Sequence, residues 1–175
     1  MTTIERATAA DAGELAAVAA RTFALACPPS TTEEAIRDFI DRHLSAERMA
    51  GYLADETRDL FIARDGTAAV GYVMTVAGEP ADPDVSSVVT TRPTVELSKC
   101  YLLEASHGTG TAAAMVDAAI GAALARGARS VWLGVNQQNQ RANRFYEKCG
   151  FRLVGERRFL VGQSYESDFV RERTQ

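Results

Sequence analysis

The stretch His107-Gly108-Thr109-Gly110-Thr111-Ala112, followed downstream by Asn139-Gln140-Arg141-Ala142-Asn143-Arg144-Phe145-Tyr146-Glu147-Lys148-Cys149-Gly150-Phe151, decides the fold. The glycine-containing segment lies between an alternating stretch, Thr94 to Leu103, and an alanine-rich helical stretch, Gly110 to Arg126. Glycine accepts positive φ and lets backbone approach a ligand closely. Successive N–H groups at the positive end of a helix form an anion site, for which a pyrophosphate is the natural occupant. A tight strand-to-helix turn that binds nothing has the same local signature. From this segment alone both readings stand.

A dinucleotide site is the rival functional reading, because Gly108, Gly110 and Ala113 satisfy a GxGxxA pattern. That fingerprint needs an acid near the end of the next strand to hold a ribose. Here Val131-Trp132-Leu133-Gly134-Val135 runs into Asn136-Gln137-Gln138, with no acid. The loop also follows helices and a hairpin instead of opening a doubly wound sheet. The nicotinamide reading is excluded.

Working outward, Thr3 to Ala7 reads as a strand and Asp11 with Glu14 as a capping box. Leu15, Val18, Ala19 and Phe23 then form an apolar helical stripe. A second helix starts at Ser30 or Thr31, with Ile36, Phe39, Ile40 and Leu44 on one face, and a short third runs from Ser45 to Leu53. Leu60 to Ala63 and Ala69 to Val76 are strands joined by the Asp65-Gly66 turn. Gly78 to Asp84 reads as a polar loop. Alternation over Thr94 to Leu103 places Val95, Leu97, Lys99 and Tyr101 on one face and Glu96, Ser98, Cys100 and Leu102 on the other. Gly127 and Gly150 stop the two later helices. Ser130 to Val135, Phe151 to Val161 and Tyr165 to Val170 complete the strands, the last two joined near Gly162. The order βααβββαβαββ is a mixed α/β (α+β) arrangement. With no repeat or linker, residues 1–175 read as one domain.

The 175 residues can bury a real core, and 46% hydrophobic with 24% charged is a globular balance. A net charge of -4 argues against nucleic-acid binding and suits a cationic substrate. Cys27, Cys100 and Cys149 lie far apart, and His43 and His107 are the only histidines, so neither disulfides nor a metal site is expected. The N-terminus lacks the apolar region of a signal peptide, and no stretch reads as membrane-spanning. A cytoplasmic location follows as the expectation.

Taken together, the two opening stretches resemble the GNAT superfamily of acyl-CoA-dependent N-acetyltransferases. His107, Gly110 and Ala112 fall on its Q/R-x-x-G-x-G/A motif, while Asn139, Ala142, Tyr146, Gly150 and Phe151 fall on N-x-x-A-x-x-x-Y-x-x-x-G-F. The resemblance implies the GNAT fold, a mixed sheet of about seven strands with a splayed parallel central pair, here Val95–Leu102 and Val131–Val135, and flanking helices. It implies acetyl-CoA as co-substrate. The pyrophosphate would sit on His107, Gly108, Thr109, Gly110, Thr111 and Ala112, and the pantetheine arm would pair with Cys100, Tyr101 and Leu102. His107 replaces the usual Gln or Arg, so backbone contact is the main expectation there. Asn139 would hydrogen-bond the pantetheine. Tyr146 would protonate the departing thiolate, a phenol of pKa about 10 being suited to that; its alternative is core packing. Glu96 is the candidate base for the amine, its alternative being a surface ion pair.

Within the superfamily, Val131 to Val135 and Gly162 to Asp168 are most similar to bacterial spermidine/spermine acetyltransferases, which implies a primary amine acceptor and among these a polyamine. The acids Glu33, Glu34, Asp38 and Asp41 alternate with Arg37 and Arg42, as on a solvated helix face. Fold does not fix substrate, so peptide N-termini, lysines and aminoglycoside-like amines stay open. So does a non-catalytic acyl-CoA-binding module. Family members often dimerise, and Phe151 to Val170 is the expected pairing edge of a homodimer.

Overall fold

In the computed structural model, which describes residues 1–161 and 163–175, the local signals translate into elements close to expectation, except that the second helix begins only at Glu33 and the last strand runs on from Val170 to Thr174. Strand β1 (Thr2–Arg6) leads into helices α1 (Ala12–Ala26), α2 (Glu33–His43) and α3 (Ala46–Ala54). Thr32 and Ser45 cap α2 and α3, accepting from Ala35 and Arg48 N–H. The hairpin β2 (Arg58–Asp65) and β3 (Ala68–Ala77) follows, then α4 (Pro83–Ser86) and β4 (Thr94–Leu102). Helix α5 (Thr111–Ala125), β5 (Ser130–Asn136), α6 (Gln140–Lys148), β6 (Arg152–Val161) and β7 (Ser164–Thr174) complete the chain. The expected turn at Gly162 lies outside the described residues.

The seven strands form one sheet in the order β1-β2-β3-β4-β5-β7-β6. Every neighbouring pair is antiparallel except β4 and β5, which run parallel. One face buries Val95, Leu97, Val131 and Leu133 against Met115, Ala119 and Ala123 of α5. The opposite face packs Leu60, Ile62, Tyr72 and Met74 against Leu15, Ala19 and Phe23 of α1 and Met49 of α3. This is the GNAT fold.

Three local expectations are corrected. The capping box belongs to Thr8 and Asp11: the Asp11 carboxylate accepts from Thr8 N–H at 2.7 Å and gives α1 no side-chain cap. Asp11 and Glu14 both receive Arg64, at 2.7 and 2.8 Å, which ties α1 to β2. The segment around Gly78 to Asp84 is not wholly loop, since Asp82 caps α4 and Val85 is fully buried beside Trp132. Third, alternation breaks in β4, where Met74 pairs with Lys99 but Thr75 with Leu97. The extra residue, Ser98, makes a β-bulge and reverses the faces beyond it. Cys100 and Leu102 therefore join Val95 and Leu97 on the α5 side, while Tyr101 joins the α1 side. Lys99 reaches the Tyr52 ring of α3 and shares a cleft with Glu96.

Candidate active site

Strands β4 and β5 share only three register pairs, from Thr94↔Ser130 to Glu96↔Trp132. Beyond Glu96 they diverge, and a cleft of about 430 Å³ opens between Cys100-Tyr101-Leu102 on one side and α6 on the other. The glycine loop closes one end. Gly108 and Gly110 have φ of +77° and +86°, and a Cβ on either would meet nothing within 4 Å, so the turn is both glycine-dependent and open. Among the described residues, none of the N–H groups from Gly108 to Ala113 finds an acceptor. Those of Thr111, Ala112 and Ala113 are the unsatisfied first turn of α5, where the helix dipole favours an anion. A diphosphate fits this donor set.

The structure brings Cys100, Tyr101, Leu102, His107, Gly108, Gly110, Ala112, Asn139 and Tyr146 to the cleft wall. Thr109 and Thr111 are not on it. Thr109 Oγ1 donates to Ser106 O at 2.7 Å and lies 2.8 Å from Thr111 Oγ1, so both side chains brace the loop and offer a ligand only their N–H groups. His107 turns back toward the strand: its Nε2 lies 2.9 Å from Leu102 O. A carbonyl can only accept, so Nε2 carries the proton, and Nδ1 is left buried without a partner.

Asn139 is the N-cap of α6, its Oδ1 accepting from Ala142 N–H at 3.0 Å, which leaves its amide NH₂ for a ligand. Two turns later Tyr146 is 9% exposed, edge-on to Phe151 and beside the Cys100 thiol. Burial, reinforced by Cys100, holds its phenol well above the ordinary 10, so it stays protonated throughout the neutral range. Burial likewise pushes the Cys100 thiol up to about 12, which removes it as a thiolate nucleophile.

A second cleft of about 610 Å³ meets the first at Cys100, Tyr101, Asn139, Ala142 and Tyr146. Phe23, Phe39 and His43 form its α1–α2 wall, with the two phenyl rings stacked at 4.5 Å. Its floor carries Glu96, Lys99, Arg157 and Asp168. Burial raises the Glu96 carboxyl above the ordinary 4.5, opposed by Arg157, Lys99 and Arg58. Burial lowers Lys99 to about 8. Arg157 pairs with buried Asp168 at 3.3 Å and covers the Trp132 ring at 5.5 Å. It can cross β5 because residue 134 is glycine, where a Cβ would collide with the guanidinium.

The structure places Glu96 on the wall of this second cleft, on the sheet face opposite Cys100 and Leu102, with which strict alternation groups it. Sequence reasoning missed Lys99, Arg157 and Asp168. Lys99 was hidden by the bulge, and Arg157 and Asp168 by the insertion of β7 between β5 and β6; Gly134 within an apolar strand was the available signal of a close approach.

The model of the acetyltransferase (GNAT) family matches residues 21–151. The chain belongs to that family, whose members are acyl-CoA-dependent N-acetyltransferases. It is 49% identical over 163 residues, 93% of its own length and 97% of the relative's, to an uncharacterized N-acetyltransferase of Mycobacterium tuberculosis. Among solved structures it resembles the PaiA N-acetyltransferase of Thermoplasma acidophilum in complex with coenzyme A, with TM-score 0.79, 17% identity and coverage of 100% and 99% of the two chains. Arabidopsis thaliana NAA60 with a bisubstrate analogue gives TM-score 0.73 at 15% identity, covering 100% and 99%. At those identities the two structures speak to the fold. No described helix is long and apolar enough to cross a membrane.

Proposed function

We propose that this chain transfers the acetyl group of acetyl-CoA directly to a primary amine within a ternary complex. The observation that carries the reading is the meeting of the two clefts at Tyr146: one is walled by backbone donors suited to a diphosphate, the other by Glu96 and the aromatic pair. When bound, acetyl-CoA supplies a thioester carbonyl open to attack. Asn139 offers its amide NH₂ to the pantetheine arm, and the N–H groups of residues 108–113 receive the pyrophosphate. Glu96 accepts the proton that the amine must lose as its nitrogen bonds the carbonyl carbon. Tyr146 donates its hydroxyl proton to sulfur as the C–S bond breaks. The raised Glu96 pKa suits a base working nearer neutrality, and the high Tyr146 pKa keeps its proton in place until charge develops on sulfur.

A small-molecule amine is the acceptor that the second cleft, about 610 Å³, is suited to, and polyamines belong in the test because of the similarity noted in the sequence. Peptide amines are the competing acceptors. A homodimer would use β6, the sheet edge, where Leu153 and Leu160 are exposed. The deciding experiment is release of free thiol from acetyl-CoA across a panel of amines, polyamines and peptides. Amine-dependent release supports the enzyme; tight coenzyme binding with no release on any amine would instead make the chain a non-catalytic acyl-CoA-binding module.

A further inference from the structure

Charges of both signs line the second cleft. Asp168 is paired with Arg157 and feels Glu166, which also lines the cleft, and Glu96 lies between Arg157 and Lys99. Arg58, the other cation near Lys99, is held by Asp55 at 3.0 Å. Lys99 differs from these arginines. Among the described residues its ammonium makes no hydrogen bond and no ion pair; it lies over the Tyr52 ring, 5.8 Å from the centroid. The bulge at Ser98 is what turns Lys99 onto the same cleft as Glu96. Three residues apart along an extended strand, the two Cα atoms are separated by about 7–10 Å. The cleft therefore holds one carboxylate placed to receive an amine proton and, a short carbon chain away, one cation that feels the Glu96 charge but makes no direct ion pair with a described residue. A partly buried cation of this kind is a ready receptor for an anionic group brought in by a ligand.

From this juxtaposition we infer that the acceptor is an amino-acid-like molecule, a primary amine that also carries a carboxylate, with the amine directed to Glu96 and the carboxylate held by Lys99. The inference rests on the acetyl-transfer reading above and narrows its acceptor. A bound carboxylate would give Lys99 the direct ion pair it lacks. A second amine could not make that pair and would be repelled by Lys99, although Glu166 also lines the cleft, so Lys99 is the residue that separates an amino acid from a polyamine.

The test uses the full chain with acetyl-CoA and acceptors matched in pairs that differ by one carboxylate: lysine with cadaverine, phenylalanine with phenethylamine, 4-aminobutyrate with n-butylamine, and spermidine beside them. Wild-type enzyme is expected to favour the carboxylate member of its best pair by at least 10-fold in kcat/KM. Lys99→Met should reduce that ratio at least 10-fold through KM, whereas Lys99→Arg should largely keep it. Coenzyme titration verifies that each variant is folded. A wild-type enzyme that uses the carboxylate-free amine or spermidine as well or better overturns the inference while leaving acetyl transfer intact. So does a Lys99→Met variant that slows both members of a pair by the same factor. No thiol release on any amine, with coenzyme bound, overturns both readings.

Discussion

Replacing Glu96 by glutamine keeps the side chain's size and removes its basicity, so it isolates proton acceptance from packing. Glu96 sits on the last shared rung of β4 and β5, opposite Trp132, where the strands begin to part. Burial raises its pKa, and the Arg157 charge is the largest influence holding it down. Loss of a positioned general base costs about 10²–10⁴ in rate, equivalent to about 3–5 kcal/mol of barrier. Because the base is already partly desolvated and tuned upward, we expect Glu96→Gln to lower kcat by about 100-fold or more, with coenzyme affinity unchanged. The sign of the pH effect follows from the direction of the shift. The carboxyl accepts a proton only when ionised, so the Glu96 limb of the wild-type kcat/KM profile falls as pH drops through a value above 4.5. In the glutamine variant that limb is absent and only the ionisation of the amine itself remains. Continuous thiol-release assays across pH, paired with calorimetric titration of coenzyme, measure both quantities. A variant within three-fold of wild type and sharing its acid limb would refute the assignment of Glu96 as base.

Two further perturbations probe the frame that holds the site. Gly110→Ala meets no atom within 4 Å, so its effect on folding is the strain of φ +86° alone; unfolding free energy should drop by about 1–2 kcal/mol, and coenzyme affinity at least 10-fold as the methyl enters the cradle, both readable by denaturant titration and calorimetry. Asp59 is 6% exposed and bonds Arg6 and Arg126 at 2.6 Å each, joining β2 to β1 and to the end of α5. Burial by itself would raise its pKa, but the bonds to Arg126 and Arg6 outweigh it and leave the value below 3.8. Its contribution is therefore present above that pH and lost as pH falls through the folded value. Asp59→Asn should cost about 1–3 kcal/mol at pH 7, with the difference from wild type shrinking on acidification in thermal melts.

The elements of the fold were legible because each signal was local. The helix start at Ser45, the αL stops at Gly127 and Gly150, and the Asp65-Gly66 turn act within a few residues of themselves, whereas the cap of the second helix is Thr32 and not Ser30 or Thr31. The lining of the first cleft, the proposed coenzyme side, was legible for the same reason: Gly108, Gly110, Asn139 and Tyr146 belong to two continuous stretches. The second cleft, the proposed acceptor side, was not. Strict alternation assigned Lys99 and Cys100 to the wrong faces, because a bulge depends on how β4 pairs with β3 and leaves no mark in β4 itself. Arg157 reaches the floor only because β7 lies between β5 and β6, a long-range pairing that no periodicity encodes. His107 was read as a loop residue acting through its backbone; its ring in fact clasps Leu102 O and so joins the loop to the end of β4.

The proposed reaction depends on Tyr146, which lines both clefts and is expected to protonate the leaving sulfur. Tyr146→Phe removes one hydroxyl from a packed ring, and steady-state turnover compared with coenzyme dissociation separates its chemical role from its packing role. The account predicts that kcat falls by about 100-fold while coenzyme affinity stays within a few-fold of wild type. A phenylalanine variant that turns over at the wild-type rate would contradict it.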